Sequence, residues 1–180
     1  FYKQVVSHGI YKFHHVGHTW HSWFIRTHPA VQQVFKTIYQ CDDLIASFDG
    51  CCYIPKECEK KDTYWTHTDQ APNSKGFQCY QGLVSLTDNE ERTLVVYEGT
   101  HLLHESYFRD KGIVSDNNWQ IIDPNDVYSL ALCKKVLNIP AGALVLWDSR
   151  VFHQNQYGAP LSEERMVQYI CYFPKHHPKN

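Results

Sequence analysis

Six short runs constrain what this chain can fold into more than any other feature. They are DLIASFDG, FQCYQGLVSL, TLVVYEG, KVLNI, ALVLWDS and RMVQYICYF. Each is rich in β-branched and aromatic residues, which suit a pleated, half-buried surface. Each is bounded by turn signals such as Asp88-Asn89, Gly99-Thr100 and Pro140-Ala141-Gly142. They read as strands. One helix is expected over residues 28–39, where Val31, Val34, Phe35 and Ile38 fall at i, i+3, i+4 and i+7 behind Pro29. A further short helix is expected over 101–110, followed by an irregular stretch, GIVSDNNWQIIDPND, of the kind that forms lids or binding loops. A strand-rich chain with an N-terminal helical layer points to a closed or double-sheet β architecture such as a jelly roll. At 180 residues, without repeat or linker, the chain reads as a single domain spanning 1–180.

The composition excludes several classes of function. Lys and Arg total 17 against 19 Asp and Glu, a net charge of −2, and no basic stripe is present, so nucleic-acid binding is not expected. No apolar run approaches the roughly 20 residues that span a bilayer, so a soluble chain with no membrane association is expected. Seven cysteines lack any Cys-x-x-Cys pair, which suits free thiols in a reducing, cytoplasmic setting better than a disulfide scaffold or a zinc module. The chain begins at Phe1 rather than Met, as a trimmed chain does, and the C-terminal PKHHPKN reads as a solvated tail. Oligomeric state leaves no signature in the sequence.

Twelve histidines invite a search for a metal site. In YWTHTDQAP, His67 and Asp69 would share one face of an extended strand, an imidazole beside a carboxylate. Alone this means little, because chance supplies about 0.7 His-x-Asp pairs in a chain of this composition. A second histidine far along the chain would corroborate it, since a facial triad of two histidines and one carboxylate is assembled from separate strands. His153 in GALVLWDSRVFHQN, 84 residues beyond Asp69, is placed to do so, and Arg165 follows 12 residues later.

In this order, His67-x-Asp69, CYQGLVSLTD, the turn EGTH, GALVLWDSRVFHQN and Arg165, the chain resembles the phytanoyl-CoA dioxygenase-like (PhyH) branch of the Fe(II)- and 2-oxoglutarate-dependent oxygenases. The resemblance covers about 65–173 and is loosest over 105–132. It implies a double-stranded β-helix (jelly roll, cupin-like) core over 65–173, preceded by a helical and strand layer over 1–64 and interrupted by an irregular helical insert. It implies Fe(II) held by His67, Asp69 and His153, with 2-oxoglutarate anchored by Arg165 and approached by Gln81, and O₂ as oxidant. It implies hydroxylation of a small organic substrate, with release of succinate and CO₂. Asp69 retains the carboxylate that related halogenases replace, which favours hydroxylation. The chain departs from the family at DNEERTLVVYEGTH, where Arg92 and Thr93 stand in place of small residues.

The chemistry suits these roles. Three protein ligands leave about three open positions on a six-coordinate iron, enough for a bidentate 2-oxo acid and O₂. Arginine's planar fork matches a carboxylate with two hydrogen bonds. A basic cluster for acyl-CoA phosphates is missing, so acyl-CoA specificity is not implied. Other readings of the same residues are a non-catalytic jelly-roll binding module and another cupin-type metalloenzyme. Arg150 is either a second anion contact or a turn salt bridge. Trp65 and Trp147 suit the core, and Gln70 and Tyr80 receive no role. His14, His15, His18 and His21 read as a solvated or core-satisfied cluster before a second ligand set, because Gly17 weakens the helix their spacing would need.

Overall fold

The computed structural model describes residues 8–176; residue 1 and the last four residues of the C-terminal tail, discussed above, lie outside them. Two antiparallel sheets dominate. The first runs β1 (Ile10–Tyr11), β3 (Cys51–Ile54), β11 (Arg165–Pro174), β5 (Tyr80–Ser85), β9 (Leu144–Asp148), with β2 (Leu44–Ala46) also paired to β11. The second runs β7 (Gln120–Ile121), β4 (His67–Thr68), β10 (His153–Asn155), β6 (Leu94–Tyr97), β8 (Lys134–Val136). The chain is thus mainly β, as its short apolar runs predict.

Alternation along these strands sorts residues into three cores, because successive side chains in a strand face opposite ways. On β5, Leu83 enters a cluster with Leu94 of β6, Trp147 of β9 and Val167 of β11, which joins the two sheets. Its neighbour Val84 points the other way, toward Ile25, Val31 and Phe35. These belong to α1 (Trp20–Arg26) and α2 (Pro29–Tyr39), which cover the outer face of the first sheet. On β6, Val95 and Tyr97 face Phe108 and Val127 of α3 (His104–Asp110) and α4 (Pro124–Ser129), which cover the second sheet.

The expected helix over 28–39 forms as α2, with Pro29 at its first position and His28 capping Ala30 N–H. Its apolar stripe is only partly used: Val31 and Phe35 are buried, whereas Val34 and Ile38 stay 38% exposed. Three elements depart from the sequence expectation. α1 forms where Gly17 argued against a helix, because the glycine lies in a preceding 3-10 turn and Ser22 and Arg26 anchor the helix inward. β3 forms just beyond the expected DLIASFDG strand, which is itself strand only over Leu44–Ala46, and pairs with β11. The stretch expected to be wholly irregular contains β7 and α4.

Arg92 and Thr93 explain the unusual turn before β6. The Arg92 guanidinium is buried and donates to the carbonyls of Pro55, Lys56, Cys58 and Tyr157, pinning the 55–58 turn. Thr93 Oγ1 donates to Leu137 O at 2.7 Å. All seven cysteines are free thiols. No helix among the described residues is long and apolar enough to cross a membrane.

Candidate metal centre

β4 and β10 are neighbours in the second sheet, with His67 directly opposite His153. Directly opposed residues on antiparallel strands present their side chains to the same face. Both imidazoles therefore project together, and their ring centroids lie 4.4 Å apart. Asp69, two residues beyond His67, turns its carboxylate between them: Oδ1 lies 3.4 Å from His67 Nε2 and Oδ2 lies 3.3 Å from His153 Nε2. Among the described residues this is the one group of three His, Cys, Asp or Glu side chains whose ligand atoms converge, all within 4.8 Å of one another.

The outer contacts fix which ring nitrogens face the centre. His67 Nδ1 lies 2.9 Å from Trp65 O and His153 Nδ1 lies 2.9 Å from Val151 O. A carbonyl only accepts, so both Nδ1 atoms donate, and in the neutral rings both Nε2 atoms carry lone pairs. Two lone pairs and a carboxylate then face one another with no donor between them. Either a proton or a cation must occupy such a cluster, and backbone carbonyls orienting ligand histidines are the usual outer shell of a metal site.

Without a cation, protons on the Nε2 atoms take that place. Burial would push the Asp69 carboxyl up, but hydrogen bonds from His153 and His67 outweigh it and hold the group well below the usual carboxylate range. Burial, then the neighbouring His153, pushes His67 down. Burial would also lower His153, but its bond to Asp69 wins and raises it. The carboxylate thus stays ionised and His67 neutral, and a cation bound at the triad would displace the proton that His153 otherwise holds against Asp69.

The loop carrying Asp69 is held by Gln70, to which the sequence assigned no role. Its amide donates to Ser74 O at 3.0 Å and Gly76 O at 2.9 Å, and its Oε1 accepts from Ser149 Oγ at 2.8 Å. His104 Nε2 donates to Gln70 O at 3.1 Å, and Trp119 N–H donates to Asp69 O at 3.3 Å. The His104, Trp119 and Ser149 contacts come from distant parts of the sequence, and no local spacing could have signalled them.

Two cavities meet at the triad. The smaller, of about 340 Å³, is lined by His67, Asp69 and His153 together with Gln81, Trp147, Asn155 and Tyr169. The larger, of about 520 Å³, opens on the Asp69 side. Gln81 lies on β5 and lines both; its buried Oε1 has no hydrogen-bond partner. Arg165 lines neither. It is fully buried at the start of β11, near enough to act electrostatically on Cys52 and Tyr169. Tyr169, which it influences, lines the smaller cavity and accepts from Asn155 Nδ2 at 2.8 Å. Arg165 Nη1 donates to Thr93 O at 3.1 Å, while Nε and Nη2 have no partner. Arg150 forms a forked ion pair with Asp148, with contacts of 2.9 and 2.7 Å, which is the turn salt bridge reading. Trp65 stacks on His67 and Trp147 tilts toward His153, so both pack against ligands as well as core. In the N-terminal cluster, His18 stacks on Phe48 and His21 contacts Thr19 Oγ1.

No family model matches the chain. A curated relative, Ava biosynthesis cluster protein O from Aspergillus versicolor, is 29% identical over 176 residues, covering 89% of this chain and 56% of the relative. The chain therefore spans little more than half the length of the relative it matches. Among solved structures, GlcNAc Inducible Gene 2, GIG2 (DUF1479), from Candida albicans is similar with a TM-score of 0.67 at 13% identity, covering 92% of this chain and 53% of that one. AviO1 from Streptomyces viridochromogenes Tue57 is similar with a TM-score of 0.58 at 15% identity, covering 93% of this chain and 68% of that one. EvdMO1 is similar with a TM-score of 0.59 at 15% identity, covering 93% and 36%. The fold is shared. None of these names is that of the PhyH family.

Proposed function

We propose that this chain forms the core of an Fe(II)- and 2-oxoglutarate-dependent oxygenase that hydroxylates a small organic molecule. The observation that carries this reading is the donor-free triad: two Nε2 lone pairs and a carboxylate converging on one point. Two histidines and one carboxylate with an open side are the ligand set of non-haem Fe(II) oxygenases. The resemblance along the sequence, the two-sheet fold read as a double-stranded β-helix, and a relative from a biosynthesis cluster support it.

The triad suits iron, and Arg165 suits a carboxylate through its unpaired donors beside Tyr169, which lines the smaller cavity. His67, Asp69 and His153 would hold the iron, each imidazole kept in its ligating tautomer by a backbone carbonyl. Arg165 would hold the distal carboxylate of 2-oxoglutarate: its Nε and Nη2 are buried donors without acceptors, and an ionised carboxylate supplies two acceptors in matching geometry. Gln81 and Tyr169 would line the path between them. Bound there, iron with 2-oxoglutarate and O₂ supplies the oxidising power for C–H hydroxylation, with succinate and CO₂ as co-products. The protein places the reacting groups and keeps water out with Trp147, Leu94 and Ile170.

An anaerobic titration of Fe(II)-loaded protein with 2-oxoglutarate tests this. The proposal expects a visible charge-transfer band at one equivalent, lost in Asp69→Ala. A folded protein that binds Fe(II) but develops no band belongs to another class of metalloenzyme. One that binds neither is a binding module.

A further inference from the structure

The larger cavity has a character that its smaller neighbour lacks. Among the described residues its charged lining consists of two carboxylates, Asp49 and Asp69, with no Lys, Arg or His. Asp69 belongs to the triad. Asp49 does not, and it faces both cavities from the segment after β2.

Asp49 has no close ion pair, and Arg26 acts on it only at longer range. Ser47 donates to its Oδ2, but among the described residues no ion pair within 4.0 Å reaches it. Two cations lie in its neighbourhood. Arg26 is held under α1 by Gly17 O at 2.8 Å and by the faces of Trp23 and Phe48. Lys12 lines only the smaller cavity. A half-buried carboxylate without an ion-pair partner carries a desolvation cost that a cationic ligand would relieve. Consistently, burial pushes the Asp49 carboxyl above its ordinary value.

Trp119 lines the same cavity. It is 47% exposed, lines both cavities, and its ring centroid lies 5.5 Å from that of His67. Its φ of +88° is an outlier for a bulky residue, and such conformations concentrate at functional sites. An indole face attracts organic cations. Gln81 Oε1, buried and unpartnered, adds an acceptor on the same wall.

We propose that the larger cavity is the substrate chamber and that it selects a small organic amine in its cationic form, held by Asp49 and covered by Trp119. This rests on the oxygenase reading, because that reading makes the cavity beside the triad a substrate site. The volume of about 520 Å³ falls within the range of small-molecule pockets. With Asp69 engaged by the metal, Asp49 is the remaining uncompensated charge of the lining, so an anion placed against it is disfavoured relative to an amine.

The test uses three probes of one size, benzylamine, benzyl alcohol and benzoate, titrated calorimetrically into anaerobic protein loaded with Fe(II) and 2-oxoglutarate. Wild type should bind benzylamine at least about tenfold more tightly than benzoate, a difference of about 1.4 kcal/mol. In Asp49→Asn the preference should fall below about threefold while the charge-transfer band is unchanged. Trp119→Ala should weaken benzylamine and benzyl alcohol alike, which keeps the proposal testable if Asp49→Asn does not fold. Equal or tighter binding of benzoate, an unchanged preference in folded Asp49→Asn, or no millimolar binding of benzylamine overturns the proposal. Without a band, an Asp49-dependent preference for benzylamine would still establish the amine site while removing the oxygenase reading.

Discussion

Arg165→Met should make the ligand-free protein more stable and at the same time blind to 2-oxoglutarate. Arg165 is fully buried, with Nη1 on Thr93 O and with Nε and Nη2 unpartnered. Each unsatisfied buried donor costs about 1–3 kcal/mol, and the Thr93 bond returns about 1 kcal/mol. Exchanging such a group for an apolar side chain of similar volume is accordingly stabilising by about 1–4 kcal/mol. At about 2–4 °C per kcal/mol for a chain of this size, a gain of about 2 kcal/mol raises the melting temperature by about 4–8 °C. Wild type with metal should gain about 2.7 kcal/mol from 2-oxoglutarate at one hundred times its Kd, or about 5–11 °C. Thermal melts of both proteins, with Mn(II) as redox-silent metal and with or without 2-oxoglutarate, measure all four values. A destabilised ligand-free variant, or one that keeps the 2-oxoglutarate shift, refutes the reasoning that Arg165 is an anion anchor awaiting its ligand.

Other substitutions probe the frame around the site. A Cβ at Gly82 would lie 2.8 Å from Leu146 Cδ2 and 3.1 Å from Val145 O. Gly82→Ala should therefore cost about 1–3 kcal/mol of overpacking, visible as a lower denaturant midpoint; an unchanged midpoint would show that β9 yields freely. Phe35→Ala, which empties the contact of α2 with the first sheet, should cost about 3–5 kcal/mol in the same assay, and a loss below about 1 kcal/mol would mean that α2 contributes little. His8 stacks on Trp65 with centroids 3.8 Å apart, and burial, then the nearby His67, pushes its pKa down from 6.5 to about 4. The unfolded chain therefore binds the extra proton in this window, so the stabilising contribution is complete above pH 6.5 and is lost as pH falls toward 4. The difference in stability between wild type and His8→Phe should shrink over that window; a constant difference would contradict the assigned environment.

What the sequence reveals and hides has a physical pattern here. β5, β6, β9 and β11 were legible because each has one face in the joint core and carries apolar residues on both faces, Leu83 beside Val84 for example. β4 and β10 have two and three residues, too few to display a period, so His67 and His153 became a pair only through the register that places them opposite each other. α1 was hidden because Trp20, Trp23 and Phe24 remain exposed while Ser22 and Arg26 are buried, which inverts the usual apolar stripe. Arg165 stood out by its position after His153, yet its burial outside the lining of both cavities is a fact of packing alone. Gln70 and Asp49 had no motif to announce them. Their roles arise from contacts with Ser149, and from a cavity built by distant strands.

The central claim is that His67, Asp69 and His153 converge to bind one divalent metal. Anaerobic Fe(II) binding by calorimetry tests it most directly, on wild type and on His67→Ala, Asp69→Ala and His153→Ala, with circular dichroism confirming that each is folded. One Fe(II) per chain in wild type, and loss of that binding in all three variants, is the predicted result. Stoichiometric Fe(II) binding that survives in a folded His153→Ala or Asp69→Ala protein would contradict it.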